Sequence, residues 1–232
     1  MSSHDHDHHD HDHDHDHGSH GHGHGDGERY TGDFDEMAKT WDDDPTKVER
    51  ARIVAELLPQ RIELGPMTRV FEYGAGTGLV SEALARAGAA GALTLADPSA
   101  GMRAVMAAKV DDGRLPAATT IVETNFDTDA PGDERFDLVV TVQVLHHVPA
   151  LEPVLAAFAA VTEPGGHLAI VDLEAEDGSF HGDGFGGHHG FHRAELQAQI
   201  EAAGFSDVRF EHAYDLEKDG HAFPLFLALA TR

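Results

Sequence analysis

The sequence predicts an α/β fold, a doubly wound and mostly parallel seven-stranded sheet with helices on both faces and an antiparallel edge strand. Short apolar segments alternate with helical patterns from residue 69 onward, and a glycine-rich turn follows the first segment. The last two apolar segments have no helix between them. Alternating strands and helices imply parallel crossover connections, whereas two strands joined without a helix pair antiparallel.

Seven apolar segments have the length and composition of strands. The fourth is a continuous apolar run, which is typical of a central strand buried on both faces. The predicted strands cover residues 70–73, 93–96, 119–122, 136–144, 168–173, 208–213 and 225–230.

Apolar residues at helical spacing predict the helices between these strands. Asp44 is a good N-cap and Pro45 suits the first turn, so a helix is expected from there to Pro59. Gly88 and Gly204 follow two further helical patterns and are expected to end them. The other predicted helices cover residues 79–87, 102–106, 151–161 and 194–203.

Residues 1–27 form a separate segment, and residues 28–232 form the predicted folded domain. His alternates with Asp and then with Gly in this segment, which has too little apolar surface to offset its ordering entropy. It is therefore a predicted disordered tail. Its imidazoles are good ligands for a divalent transition metal, and the carboxylates add favourable charge. The candidate ligands are His4, His6, His8, His9, His11, His13, His15 and His17.

The composition excludes several classes of partner and chemistry. The chain has 42 acidic and 16 basic residues, a net charge of -26, which disfavours nucleic acid and anionic membrane surfaces. Cysteine is absent, which excludes disulfides, thiolate metal sites and a cysteine nucleophile. No apolar run approaches the roughly 20 residues of a membrane span, and no apolar leader is visible. We therefore expect a cytoplasmic protein.

The strongest local signal is the glycine turn, residues 74–78, with glycine at positions 74, 76 and 78. Glycine permits positive φ and close approach of a ligand, and the following helix directs free N–H groups towards it. No Lys-Ser or Lys-Thr follows, so this is not a nucleotide-binding P-loop. Leu79 occupies the position of the last glycine in the dinucleotide fingerprint, so that motif is also incomplete.

Polar residues follow the next two strands. Asp97 lies about 20 residues beyond the turn, where a carboxylate accepts hydrogen bonds from the hydroxyls of a ribose. Alternatively, Asp97 caps the helix that opens at Pro98 and Ser99. Asn125 and Phe126 follow the third strand and offer an amide and an apolar wall to an adenine ring.

In these segments the sequence resembles the class I, Rossmann-like, S-adenosylmethionine-dependent methyltransferases, and specifically their small-molecule branch. The resemblance extends from about residue 33 to the end of the sequence. The motifs that carry it cover residues 70–78, 95–102, 125–126, 136–148 and 163–168. The nucleic-acid motif Asn/Asp-Pro-Pro-Tyr/Phe is absent after the fourth strand, in agreement with the charge. The resemblance implies S-adenosyl-L-methionine as cofactor and a small-molecule acceptor, methylated on O or C rather than N; it implies no oligomeric state.

The resemblance also implies individual roles. The three glycines, with Glu72, would lie near the methionine part of the cofactor. Asp97 would hold the ribose, Met102 would pack on the adenine, and Gln143 would lie close to the sulfonium. The residues implied in cofactor binding are Glu72, Tyr73, Gly74, Gly76, Gly78, Asp97, Pro98, Met102, Asn125, Phe126 and Gln143.

Histidine is the natural base for an acceptor that must lose a proton near neutral pH. His146 and His147 follow strand four, and His181, His188, His189 and His192 lie in a glycine-rich segment after strand five. That segment is longer than an ordinary connection and is predicted to be an active-site lid. The candidate catalytic residues are His189, His181 and His147, in that preference. Packing at the start of a helix, a surface turn and a metal site are the alternatives.

Two other functions remain open from sequence. A nicotinamide-dependent oxidoreductase uses the same sheet architecture, although Leu79 interrupts its fingerprint. A metal-binding protein could act through its His-rich tail and keep the domain only as a carrier.

Overall fold

The computed structural model describes Met1, residues 34–182 and residues 184–232. The predicted tail therefore lies outside the described residues, apart from Met1. Seven strands form one sheet in the order β3-β2-β1-β4-β5-β7-β6. The strands are β1 Arg69–Tyr73, β2 Ala92–Ala96, β3 Thr120–Val122, β4 Phe136–Val142, β5 Thr162–Leu173, β6 Ser206–Lys218 and β7 His221–Thr231.

The sheet confirms the predicted doubly wound topology. β1 pairs in parallel with both β2 and β4, and β2–β3 and β4–β5 are also parallel. The chain moves outward from β1 to β3 and then returns to place β4 beside β1. The winding direction reverses there, which is where sheets of this type bind ligands beyond their carboxyl ends. β7 is antiparallel to β5 on one side and to the edge strand β6 on the other.

Helices cover both faces of the sheet, as predicted. The two faces form separate buried clusters, and alternate residues of β7 contribute to each: Leu225, Leu227 and Leu229 to one, Phe226 and Ala228 to the other. The helices are α1 Pro45–Leu57, α2 Leu79–Arg86, α3 Ala100–Asp111, α4 Leu151–Val161 and α5 Arg193–Ala202.

The end of β4 and the start of β5 differ from the sequence prediction. β4 ends at Val142 because Gln143 has a φ of 56°, which extended backbone does not adopt. β5 begins at Thr162 rather than 168. Gly165 and Gly166 are typical of a turn, but Gly165 N–H donates to Arg232 O, and Gly166 O accepts from Arg232 N–H. The strand pairing thus overrides the local turn signal.

β6 and β7 are longer than predicted and meet in a two-residue turn. Asp219 and Gly220 have φ values of 52° and 78°. Positive φ at both positions is the type I′ geometry, whose twist matches that of the flanking strands. Among the described ranges 34–182 and 184–232, no helix is both long and apolar enough to cross a membrane.

Candidate functional site

The glycine turn lies at the carboxyl end of β1 and has the backbone that its sequence predicts. Gly74, Gly76 and Gly78 have φ values of 67°, 56° and 78°. A Cβ at Gly74 would overlap the methyl groups of Val144, so a larger residue does not fit there. At Gly76 the one described atom within 4 Å of a Cβ would be Trp41 Nε1, at 3.8 Å. The backbone at Gly76 is therefore the part of the turn with room for a ligand.

Asp97 joins the tip of β2 to this turn. Its Oδ2 accepts a hydrogen bond from Gly76 N–H at 2.7 Å, and its Oδ1 accepts one from Ser99 N–H at 2.9 Å. A carboxylate has about four acceptor sites, so two remain for the two hydroxyls of a ribose. Burial raises the pKa of Asp97 to about 6. Ser99 rather than Asp97 caps α3, since Ser99 Oγ accepts from Met102 N–H at 3.1 Å.

Glu72 lies beneath the turn and not on its surface. The carboxylate is buried and accepts hydrogen bonds from the N–H and the hydroxyl of Ser81 in α2. Burial raises the pKa of Glu72 to about 7, although the hydrogen bonds from Ser81 act to lower it. Glu72 thus fixes α2 relative to β1, and its contact with any ligand would be indirect.

Tyr73 and Phe126 pack together in the core, on the face covered by α4. Their rings lie parallel with centroids 5.3 Å apart, and both rings are buried. The Tyr73 hydroxyl donates to Asn125 Oδ1 and accepts from Phe126 N–H, both at 3.2 Å. Burial raises the pKa of this hydroxyl to about 12. The structure therefore does not bring the Phe126 ring to the glycine turn, because that ring is part of the core, whereas Asn125 stays partly exposed at the sheet edge.

The remaining predicted residues differ in their exposure. Met102 is buried in α3, whereas Pro98 is exposed. Gln143 follows β4 directly, and its N–H donates to Val171 O at 2.7 Å. Its Oε1 accepts a hydrogen bond from Arg50 of α1. Gln143 is thus held between the central strands and α1, in a positive-φ conformation of the kind that clusters at functional sites.

Residues 34–43, the covering segment, contact the glycine turn and the start of α3. Asp35 Oδ1 accepts from Ser99 Oγ at 2.5 Å and from Gly101 N–H at 2.8 Å. Asp42 accepts from Thr77 Oγ1 at 2.5 Å and pairs with Lys109 Nζ at 2.7 Å. The contact of residues 34–43 with the glycine turn and α3 was not predicted from the sequence. The acidic residues on both sides of Trp41 were the only visible signal.

Three imidazoles lie close together at the same edge of the sheet. His146 and His147 are in a 3-10 turn after β4, Leu145–His147, and His181 comes from the segment after β5. One ring nitrogen from each lies within 4.8 Å of the other two. Burial and the neighbouring imidazoles lower the pKa of His147 to about 2 and that of His181 to about 4. We call this group the histidine cluster.

His189, the third predicted catalytic residue, is not part of the histidine cluster. Its imidazole is exposed, and Nδ1 lies 3.3 Å from Glu176 Oε1. Phe185 separates it from the cluster, since this ring stacks on His181 at 3.8 Å and has its centroid 6.0 Å from that of His189.

Asp172 supports the histidine cluster from the end of β5. Its Oδ1 lies 2.6 Å from His146 Nδ1, and both side chains are buried. Sequence reasoning missed Asp172 because it lies within an apolar strand pattern. A single carboxylate in a strand that is otherwise entirely apolar, residues 168–173, was the available signal.

The segment after β5 is attached to the histidine cluster through its backbone. His188 N–H donates to His146 O at 2.7 Å, and Phe191 N–H donates to Leu173 O at 2.9 Å. A Cβ at Gly187 would overlap His146 O, so this glycine permits the close approach. The segment predicted to be a lid therefore forms one wall of the site.

The parallel sheet with its antiparallel β7, the positive-φ glycine turn and the carboxylate at the tip of β2 define a Rossmann-like methyltransferase of class I. The chain belongs to the methyltransferase domain family, whose model matches residues 43–221. The sequence-based assignment is confirmed, and the oxidoreductase alternative is not favoured.

Individual relatives agree with this assignment. Ubiquinone biosynthesis O-methyltransferase of Shewanella pealeana is 30% identical over 149 residues, 58% of this chain and 58% of that protein. The match thus spans less than two thirds of that relative's length.

Two solved structures share the fold. A chain in the complex of the Haloferax volcanii Trm112 methyltransferase activator with a methyltransferase has a TM-score of 0.69 at 19% identity, over 85% of this chain and 96% of that one. Phosphoethanolamine N-methyltransferase 2 of Haemonchus contortus, solved with phosphomonomethylethanolamine and S-adenosylhomocysteine, has a TM-score of 0.63 at 13% identity, over 77% of this chain and 52% of that one.

Proposed function

We propose that this protein transfers a methyl group from S-adenosylmethionine to an oxygen or carbon atom of a small-molecule acceptor. One observation carries the proposal. Asp97 at the tip of β2 is hydrogen-bonded to Gly76 in the glycine turn and retains acceptor capacity for two hydroxyls. Membership of the methyltransferase domain family supports the same cofactor.

We assign the cofactor-binding residues as the family resemblance implies. Gly74, Gly76 and Gly78 would hold the methionine part, Asp97 the ribose, and Asn125 the adenine edge. Of the other predicted residues, Glu72, Tyr73 and Phe126 would act from beneath by fixing the turn and the loop after β3.

Gln143 would face the sulfonium from the β4 side, Met102 would support the adenine site from within α3, and Pro98 would border it. When bound, the cofactor supplies a methyl group already activated by a positively charged sulfur. The protein therefore contributes chiefly orientation of the two reactants.

The acceptor would bind between the glycine turn and the histidine cluster. A chain of contacts connects these two places. Trp41 lies by Gly76, and its ring centroid is 5.8 Å from that of Phe34. The ring centroid of Phe34 is in turn 6.3 Å from that of His147. Of the candidate bases, His189 is the one that we favour from the sequence, and Phe185 lies between its ring and that of His181. His189 Nδ1 lies 3.3 Å from Glu176 Oε1, and this contact orients the ring. His181 and His147 would line the acceptor site.

A small acceptor also agrees with the net charge of -26, which disfavours nucleic acid. One structural neighbour belongs to a complex with the Trm112 activator. Binding of a protein partner is therefore a second proposal for this chain. A cytoplasmic location and metal binding by the tail histidines stay predictions from sequence.

Calorimetry with S-adenosylhomocysteine, S-adenosylmethionine and NADH tests the proposal on the full chain. We expect both sulfur nucleosides to bind with one site per chain and NADH not to bind. Binding of NADH alone would favour the oxidoreductase, and loss of methyl transfer in His189→Gln with unchanged nucleoside affinity would support His189 as the base.

A further inference from the structure

The histidine cluster has the composition of a metal site. His146, His147 and His181 each offer one ring nitrogen, and the three nitrogens lie within 4.8 Å of one another. Three imidazoles with an open position are a common arrangement for a catalytic zinc ion.

Asp172 fixes the orientation of the first imidazole. Asp172 Oδ1 lies 2.6 Å from His146 Nδ1 and hydrogen-bonds it. The other ring nitrogen of His146, Nε2, is then the atom that would coordinate a metal. Metal-binding histidines generally give their second nitrogen to a carboxylate or a carbonyl in this way. The buried pair of Asp172 and His146 therefore resembles the outer support of a metal ligand.

His181 provides an independent indication. Its Nε2 is buried and has no hydrogen-bond partner among the residues that the structure describes. A buried polar atom without a partner costs about 1–3 kcal/mol, so a ligand that satisfies it is favoured. The carboxylate of Glu176 is in the same segment, and its buried Oε1 has His189 Nδ1 3.3 Å away but no hydrogen bond among the described residues. The carboxylates of Asp172 and Glu176 would offset the charge of a cation.

We propose that His146, His147 and His181 form a binding site for one divalent transition-metal ion of the Zn²⁺ class, with a coordination position left for an acceptor oxygen. Neutral nitrogen ligands favour Zn²⁺, Co²⁺ or Ni²⁺ over Mg²⁺ and Ca²⁺, which prefer oxygen. The metal would hold the acceptor's hydroxyl and promote loss of its proton. This role rests on the proposed methyltransferase function, whereas the site itself does not.

The first experiment locates the ion within the molecule, because the tail histidines are also predicted metal ligands. Crystals of the full chain grown with Zn²⁺ are measured above and below the zinc absorption edge. We expect an anomalous peak between the three imidazoles. Its absence at saturating Zn²⁺, in crystals where the cluster is ordered, would overturn the proposal.

The second experiment measures binding at the cluster in solution. Co²⁺ in a tetrahedral nitrogen site gives a strong visible absorption, unlike Co²⁺ in a hydrated six-coordinate site. We expect one equivalent of this signal in the full chain, and a loss of at least about tenfold in Co²⁺ affinity in His181→Gln, one ligand fewer. His212→Gln is the matched control, because His212 is exposed on β6 and contacts Asp215 instead.

Thermal unfolding without metal checks that His181→Gln folds, and Asp172→Asn provides a second variant that keeps all three ligands. We expect about tenfold weaker Co²⁺ binding in Asp172→Asn. Equal Co²⁺ signals in the full chain, His181→Gln and Asp172→Asn would assign all binding to the tail and refute the site. If S-adenosylhomocysteine binds but the cluster binds no metal, this inference alone is refuted. If the cluster binds metal but S-adenosylhomocysteine does not bind, only the methyltransferase proposal is refuted.

Discussion

Asp97 Oδ2 accepts a hydrogen bond of 2.7 Å from the backbone N–H of Gly76. This bond connects the tips of two adjacent parallel strands and fixes the carboxylate beside the one glycine of the turn that has space above it. The two residues therefore define the position of a nucleoside relative to the sheet, before any ligand binds.

Replacing Asp97 with Ala should weaken S-adenosylhomocysteine binding by about tenfold or more. The substitution removes the acceptors of both ribose hydroxyls, and a lost hydrogen bond to a charged group costs about 1.5–3 kcal/mol. Calorimetry gives the affinity. Asp112→Asn, an exposed carboxylate that follows α3, is the control and should bind as the unchanged protein does. Equal affinities for all three proteins would refute the assignment of Asp97.

The stability difference between Asp97→Asn and the unchanged protein should depend on pH. The folded state raises the pKa of Asp97 from 3.8 to about 6, so it binds more protons than the unfolded state between these values. The stability of the unchanged protein therefore falls as the pH rises from about 4 to about 6, by about 3 kcal/mol for this group. Asn has no such titration.

Urea unfolding of both proteins at pH 4, 5, 6 and 7 measures this effect. The Asn variant should gain stability relative to the unchanged protein up to about pH 6 and then stay constant. Comparing the two proteins removes the contribution of Glu72, whose pKa is also raised. A difference that does not change with pH would show that Asp97 titrates at its ordinary pKa.

Gly74→Ala should be more destabilising than Gly165→Ala. Both glycines have positive φ, 67° and 83°, which costs a residue with a Cβ about 1–2 kcal/mol. At Gly74 the Cβ would overlap Val144, whereas at Gly165 no atom of residues 34–182 or 184–232 lies within 4 Å of it. Overpacking adds about 1–3 kcal/mol.

Chemical denaturation measures both variants. The double variant Gly74→Ala with Val144→Ala should remove the overlap and recover part of the loss beyond the effect of Val144→Ala alone. If Gly74→Ala and Gly165→Ala lose equal stability, the contact with Val144 is not a constraint on the turn.

Lys109→Met should lower the free energy of unfolding by about 3 kcal/mol. The Lys109 ammonium is 2% exposed and lies 2.7 Å from Asp42 and 3.1 Å from Glu82, so its removal leaves two carboxylates less well compensated. Arg86→Gln is the matched control. It removes a cation from the same Glu82, but the Arg86 side chain is 65% exposed, so the loss should stay below about 1 kcal/mol.

Urea unfolding measures both losses. Since Asp42 also accepts a hydrogen bond from Thr77, Lys109→Met should loosen the covering segment as well, which hydrogen exchange at Thr77 and Gly78 would report. Equal losses for Lys109→Met and Arg86→Gln would show that burial does not strengthen the ion pair.

The strand and helix pattern could be predicted because apolar residues are usually buried, so their spacing along the sequence indicates the buried face of each element. β7 is an example: its alternate residues fill both faces of the sheet, so the whole segment is apolar. The start of β5 could not be predicted in this way. Its glycines pair with Arg232, a partner distant in sequence, and no local pattern records that pairing.

The same distinction applies to the site. The turn glycines and Asp97 follow strand ends at characteristic spacing, so their proximity could be expected from the sequence. The pairing of Asp172 with His146 could not, because it depends on the register of two strands and on the direction of one side chain. The ring of Phe126 packs on Tyr73 in the core, which its position in a loop did not suggest, and its contact with the adenine stays a prediction.

The position of β7 between β5 and β6 has a consequence for biosynthesis. β5 has an unpaired edge of seven residues, 167–173, until β7 has left the ribosome, because β7 alone pairs with that edge. An apolar strand edge exposed in this way is a template for association with other chains. The sheet can therefore be completed only after nearly the whole domain has been translated. Until then, the unpaired edge of β5 would be available to chaperones.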